Sequence, residues 1–161
     1  RGYTGPDGGV CVACNETTYK DANGTGACAA CPDNSYAPAA SPDAASCRCN
    51  MGYTGALGGP CAICPEGTYK DTVGDAACSV CPVRTVAAEG STNVSDCSCE
   101  RGFSAPGFGD NCTRCPLNQY KEELGIGACT DCPDNAITFV DASDTATNCN
   151  CIPGYEGQNG A

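Results

Sequence analysis

Cys64-Pro65-Glu66-Gly67-Thr68-Tyr69-Lys70 opens a stretch that runs through Gly74 to Cys78-Ser79-Val80-Cys81-Pro82 and on to Cys97-Ser98-Cys99. It holds five cysteines, and the pattern is not used once. It appears upstream as Cys14, Cys28, Cys31, Cys47 and Cys49, and downstream as Cys115, Cys129, Cys132, Cys149 and Cys151. Cys11, Cys61 and Cys112 fall in the same series, three residues before Cys14, Cys64 and Cys115. The period is 50 or 51 residues, with one further residue between Cys132 and Cys149. Other residues keep step. Tyr19-Lys20, Tyr69-Lys70 and Tyr120-Lys121 recur, and Gly24, Gly74 and Gly125 follow each Tyr by five. Gly2-Tyr3, Gly52-Tyr53, Gly102-Phe103 and Gly154-Tyr155 mark the far end of the motif. Matches of this density at one period establish tandem duplication.

The composition says how such a chain is held together. Of 161 residues, 18 are Cys, a proportion that signals a disulfide scaffold. Leu, Ile, Val and Phe together number 18, and there is no Trp. So few large apolar side chains cannot build one core for a chain of this length. Covalent cross-links or metal, in several small units, must replace it. There is no His, which removes imidazole triads and His-metal centres. The net charge is −11, with 8 Lys plus Arg against 19 Asp plus Glu. Without basic clusters, nucleic acid and anionic membrane surfaces are poor partners. No apolar run approaches the ~18 residues of a membrane span. The first residue is Arg1, and no signal peptide precedes it, so the segment is read as part of a longer precursor.

The stretches from Cys47 to Cys61 and from Cys97 to Cys112 read C-x-C-x-x-G-[YF], then a Gly-rich loop, then Cys. That resembles the end of an EGF-like module. The frame this implies is the tail of a preceding module at 1–13, then module 1 at 14–61, module 2 at 64–112 and an incomplete module 3 at 115–161. Only Ala62-Ile63 and Thr113-Arg114 separate successive modules, a span of at most ~7 Å. Neighbours must therefore touch, and a stiff elongated rod is expected rather than beads on a flexible string. The local sequence is more specific. Cys64-Pro65-Glu66-Gly67-Thr68-Tyr69-Lys70, Gly74, Cys78-x-x-Cys81-Pro82, Cys31-Pro32-Asp33-Asn34-Ser35 and Cys97-x-Cys99-x-x-Gly102-Phe103 are similar to the ephrin-receptor-like class of Cys-rich, EGF-like repeat. The resemblance covers essentially the whole chain. It implies an extracellular, non-enzymatic module, found in animal receptor stalks and in surface or flagellar-hair (mastigoneme) proteins of algae and protists. Asn15 in place of Pro and Ala105-Pro106 in place of the Gly at Gly5, Gly55 and Gly157 depart from the pattern without disturbing the cysteines.

Six cysteines allow fifteen pairings, and spacing does not choose among them. The EGF resemblance implies first with third, second with fourth and fifth with sixth. That gives Cys14–Cys31, Cys28–Cys47 and Cys49–Cys61; Cys64–Cys81, Cys78–Cys97 and Cys99–Cys112; and Cys115–Cys132 with Cys129–Cys149. The alternative is the pairing of tumour-necrosis-factor-receptor modules, in which the first two cysteines bond each other. Cys11 and Cys151 are left over, and each is expected to bond outside the segment, to an adjoining module or the next subunit of a polymer. Short hairpins fit Cys47 to Tyr53 and Cys97 to Phe103, and one helical turn fits Lys121-Glu122-Glu123-Leu124. The rest of a chain with 21 Gly and 11 Pro should be turns.

Competing chemistries are weaker. Cys11-x-x-Cys14 followed by Cys28-x-x-Cys31 falls near zinc-ribbon spacing, but zinc leaves the Cys-x-Cys pairs unexplained. A redox Cys-x-x-Cys needs a βαβ setting that no pair has. Asp21-Ala22-Asn23-Gly24 imitates the start of a calcium loop, yet Asp71-Thr72-Val73-Gly74 and Glu122-Glu123-Leu124-Gly125 offer no matching ligands, and ordinary turn chemistry is the better account. No metal or cofactor is expected. Tyr19, Tyr69 and Tyr120 are read as miniature cores over the disulfides; Tyr3, Tyr53, Phe103 and Tyr155 as junction residues. Four sequons, at Asn15, Asn23, Asn93 and Asn111, make N-linked glycans expected partners in the secretory route. Nothing supplies a nucleophile with a base, so no enzyme is expected. The expected function is structural: an extracellular or cell-surface glycoprotein rod in a filament, stalk or surface hair. The alternative, a ligand-binding receptor ectodomain, calls for one module with an irregular, aromatic-rich loop.

Overall fold

The computed structural model describes residues 1–157. Among them there is no α-helix, and the strands are two residues long. Each module is a chain of small antiparallel hairpins. In module 1, Thr18–Tyr19 pairs with Ala29–Ala30, Ser35–Tyr36 with Arg48–Cys49, and Tyr53–Thr54 with Ala62–Ile63. Thr85–Val86 with Ser98–Cys99 and Phe103–Ser104 with Thr113–Arg114 continue the series in module 2. In module 3, Gln119–Tyr120 pairs with Thr130–Asp131, and Ala136–Ile137 with Asn150–Cys151. The residues between modules, Ala62-Ile63 and Thr113-Arg114, are thus strands bonded to the preceding Gly-aromatic turn.

Strands are short because turns interrupt them at a fixed beat. After the first cysteine of a module the third residue is left-handed: Thr17 (φ 62°), Gly67 (φ 72°) and Asn118 (φ 68°). After the third cysteine Asn34 (φ 60°), Arg84 (φ 62°) and Asn135 (φ 63°) do the same. The next residue commonly closes the turn with its hydroxyl. Thr18, Ser35, Thr68 and Thr85 donate to the carbonyls of Asn15, Pro32, Pro65 and Pro82 at 2.6–2.7 Å. Single turns of 3₁₀ helix at Ala44–Ser46, Val94–Asp96 and Ala146–Asn148 lead into Cys47, Cys97 and Cys149. Asp43 caps the first, accepting from Ser46 N at 3.1 Å.

Two of the expected local elements are absent. The strands near Cys47–Tyr53 and Cys97–Phe103 pair outward with other segments, not with each other. Lys121–Leu124 is not helical. The carbonyls of Glu123 and Gly125 turn instead toward the Lys121 ammonium, at 2.6 and 2.7 Å.

The disulfides are Cys14–Cys28, Cys31–Cys47 and Cys49–Cys61; Cys64–Cys78, Cys81–Cys97 and Cys99–Cys112; Cys115–Cys129 and Cys132–Cys149. Cys49–Cys61 and Cys99–Cys112 coincide with the expected pairs. The crossed pairs Cys14–Cys31, Cys28–Cys47, Cys64–Cys81, Cys78–Cys97, Cys115–Cys132 and Cys129–Cys149 do not form. The reason is local. Cys14–Cys28 and Cys31–Cys47 close successive loops with separations of 14 and 16 residues, where the crossed pairs would close longer, overlapping ones. The first-with-second bond is the feature shared with the tumour-necrosis-factor-receptor alternative.

These bonds are the core. Among the described residues the buried apolar side chains are nine half-cystines (14, 47, 49, 64, 97, 99, 112, 115 and 149) with Ala37 and Ala87. Sequence separations of 12 to 17 make each closed loop worth about 3 kcal/mol in the chain-entropy account. Contacts group the chain into two compact units, Arg1–Ser79 with Glu89–Asn93, and Val80–Ala88 with the chain from Val94 on. The division runs inside module 2: the loop closed by Cys64–Cys78 falls in the first unit, and the loop closed by Cys81–Cys97 is shared, with Glu89–Asn93 in the first unit and the rest in the second.

The pairing is open to a direct check. Non-reducing peptide mapping, with cleavage between Cys78 and Cys81, is expected to link Cys64 to the Cys78 peptide. A Cys64–Cys81 peptide would restore the crossed frame.

Candidate functional site: lysine-closed module junctions

The protein has three lysines, and all three stand after the repeated Tyr, at positions 20, 70 and 121. All three are buried, which lysine almost never is unless its charge is met. The strand ending at Tyr69 delivers Lys70 to a point where its main chain is bonded on both sides. Its N–H donates to Ser91 O at 3.0 Å, and its carbonyl accepts from Gly52 N at 2.9 Å. The side chain then turns inward. Nζ donates to Tyr53 O and Gly74 O, both at 2.8 Å, with Cys49 O and Asn50 O at 3.4 and 3.5 Å. An ammonium has three protons, so the two short bonds dominate and the two distant carbonyls share the third. Three of the four carbonyls belong to module 1, while Lys70 and Gly74 belong to module 2. The ammonium therefore pins the end of one module to the start of the next.

Glycine makes the approach possible. Gly52 N donates to Lys70 O, and Gly52 O accepts from Cys64 N at 2.8 Å. Its φ is 76°, and a Cβ there would lie 2.4 Å from Gly90 O. Gly102 repeats the arrangement with Lys121 and Cys115, and Gly2 with Lys20 and Cys14, each bond at 2.8 or 2.9 Å. A Cβ on either would come within 2.2 Å of a carbonyl, Ala142 O or Ala40 O. A second glycine closes the other side. Gly74 N donates to Cys49 O, and Gly125 N to Cys99 O, at 2.9 Å. The calcium-like loop Asp21–Gly24 serves the same end, because Gly24 O accepts from Lys20 Nζ.

Burial holds the Lys70 amine below the usual lysine value, with the Asp75 carboxylate opposing. Lys121 is lowered for the same reason, opposed by Glu123. The fold thus carries the charge at a net cost that the carbonyl cage offsets only in part, while the carbonyls in turn rely on the ammonium as their donor.

The remaining expected site residues are distributed. Asn15, Asn23, Asn93 and Asn111 are all exposed, and Asn111 Oδ1 accepts from Val83 N at 3.3 Å. Cys11 and Cys151 are free thiols, the first exposed and the second half-buried. Tyr19, Tyr69 and Tyr120 are half-buried and bridge along the main chain to Ser41, Ser91 and Ser143. Tyr53 and Phe103 are half-buried at their junctions, and the Arg84 guanidinium lies 5.3 Å from the Phe103 ring centre. Tyr3 and Tyr155 are exposed. The lysines were visible in the sequence only as markers of the period. Their isolation in an acidic chain, always beside Tyr and four residues before Gly, is the signal that could have singled them out.

The family model described as tyrosine-protein kinase ephrin type A/B receptor-like matches residues 52–97 and again 99–149. The two matches cover more than half of the chain, and the chain belongs to that family. The first match begins at the junction glycine Gly52, so it brackets the junction and not the module that starts at Cys64. No individual curated protein matches.

Lys70→Met strips the ammonium from two close carbonyls and is expected to destabilise the oxidised protein by about 2–4 kcal/mol, read by thermal or denaturant melts. A change under about 0.5 kcal/mol would show the cage to be incidental. The pH dependence has a definite sign. A lowered native amine pKa means the unfolded chain holds more protons between that value and 10.5, the ordinary lysine value. Stability then rises with pH through that window, and the penalty is fully present below it. Melts with Cys11 and Cys151 alkylated are expected to move upward from pH 8 toward pH 10 in the wild type, and less so in Lys70→Met.

Proposed function

We propose that the chain is a segment of a structural, non-catalytic glycoprotein rod, in which modules run end to end as part of a filament, stalk or surface hair. Membership of the receptor-like family and eight disulfides make it an extracellular module. Among the described residues no helix is long and apolar enough to cross a membrane. What supports the rod reading above all is the junction. The would-be linkers are bonded strands, and Gly52 and Lys70 tie modules 1 and 2 through main chain and ammonium alike. A binding module on a flexible tether needs none of this. A rod needs it at every step. On this reading Cys11 and Cys151 bond to adjoining modules or to further copies of the same polymer.

A receptor ectodomain is the second reading, and one observation favours it. The extra residue of module 3 falls before Cys149, where the loop after Ile137 carries Phe139 and Val140, 72% and 61% exposed. Asn118 N donates to Thr138 Oγ1 at 2.8 Å, which holds the turn bearing exposed Leu117 beside that loop. Modules 1 and 2 have Pro38-Ala39 and Ala88-Glu89 there.

Small-angle scattering of the oxidised segment is expected to give a radius of gyration well above the ~15 Å of a compact domain of this length. Electron microscopy of native material is expected to show ordered fibrils. A compact particle would remove the rod. A monomer that binds a soluble protein tightly, and loses it on Phe139→Ser, would establish the receptor reading in its place.

A further inference from the structure

The turn after the first cysteine is built three times: Asn15-Glu16-Thr17-Thr18, Pro65-Glu66-Gly67-Thr68 and Pro116-Leu117-Asn118-Gln119. Its backbone is the same in each. The fourth residue's N–H donates to the first residue's carbonyl at 3.2 Å, and the third residue has φ of 62°, 72° and 68°. Modules 2 and 3 fill this frame with suitable residues. Gly67 and Asn118 suit the left-handed third position. Module 1 departs at the first and third positions, and the departure at the third goes against the turn. Asn15 stands where the others have proline, a first position that Asn also suits, and a β-branched Thr17 occupies the left-handed position, where the crowding of its Cβ makes it a poor fit. The two departures fall on the two positions that an N-x-[ST] acceptor requires, while the residue between them, Glu16, is the same as Glu66.

We infer that Asn15 is an occupied N-glycan site, kept in module 1 against the preference of its own turn. Asn15 and Thr17 are both exposed, so the fold leaves room for a glycan on the outer side of the turn. Asn111 instead uses its amide oxygen to hold Val83 N, and its sequon runs through the half-cystine Cys112. The chemistry is a group transfer from a lipid-diphosphate-linked oligosaccharide in the secretory lumen. The bond from sugar C1 to the diphosphate oxygen breaks, and a bond from C1 to Asn15 Nδ2 forms. The amide gives up one proton, and the lipid diphosphate leaves. No electrons change hands. The inference stands apart from the rod reading, since occupancy is read whether or not the chain assembles.

Two measurements test it. Secretion of the full chain from a eukaryotic host, followed by amidase release in heavy-oxygen water and mass spectrometry, is expected to find Asn15 converted to labelled Asp in most molecules. Asn15→Gln is expected to lose one glycan mass. In unglycosylated protein refolded under oxidising conditions, Thr17→Gly is expected to raise Tm by about 2–4 °C, and Gly67→Thr to lower it by a similar amount. An unmodified Asn15 beside occupied sequons elsewhere would overturn the site. An unchanged Tm in Thr17→Gly would overturn the claim that the turn opposes it.

Discussion

The cystine is the constraint from which the rest of this structure follows. The sequence lacks the Leu, Ile, Val and Phe to exclude water from anything larger than a hairpin. Sulfur takes their place as buried volume and as cross-link at once: Cys14, Cys47, Cys49, Cys64, Cys97, Cys99, Cys115 and Cys149 are almost wholly buried, while most of the larger aliphatic side chains stay exposed. A bond that closes a loop of a dozen or so residues acts on the unfolded chain and does not require a broad packed surface. Each strand can therefore be two residues long, and most of the chain can be turn. A hairpin of that size has no independent stability in water. Here each one is tethered by a disulfide or lies against a junction.

What cystines do not supply is a reason for one module to keep a fixed pose on the next. That comes from the polar main chain. At the Lys70 junction a single ammonium meets carbonyls of both modules, while the Lys121 ammonium gathers Glu123 and Gly125 of its own module beside the Gly102 bond. A lysine suits the task because it carries three donors on a slender stem and accepts nothing. The lowered amine pKa records the strain of putting the charge there. Because carbonyls of two modules converge on one nitrogen, bending Lys70's junction would expose or orphan several of them together, which makes the joint stiff without being apolar.

Much of this was legible in the sequence. The cysteine period and the hairpin-rich, helix-poor class follow from residue types and spacing, and the Cys49–Cys61 and Cys99–Cys112 loops from the EGF likeness. The first four cysteines of a module were not legible, because spacing leaves their pairing open and the EGF likeness supplied a crossed pattern. In the structure each sulfur closes the loop next to it, a choice that composition does not carry. Glu122-Glu123-Leu124 reads as a helical turn by propensity. The Lys121 ammonium draws the neighbouring carbonyls inward and overrides it. The lysines show the limit most clearly: their positions are plain in the sequence, but the path of a flexible side chain is not. The loop that imitates a calcium site at Asp21–Gly24 is the same lesson from the other direction, with a cation supplied by the chain itself.

The junctions are out of phase with the cysteine modules, since Gly52 and the carbonyls around it belong to one module and Lys70 to the next. Gene duplication and loss act on such an array by unequal crossing-over, which deletes or inserts one whole period. Wherever the exchange falls within the repeat, the product carries a complete Gly–Lys contact at each seam, because the two halves of every contact are identical from one seam to the next. Array length can then drift without any seam having to evolve a new fit. The same sameness means that no seam records its own position, so nothing in the contact itself can count the repeats.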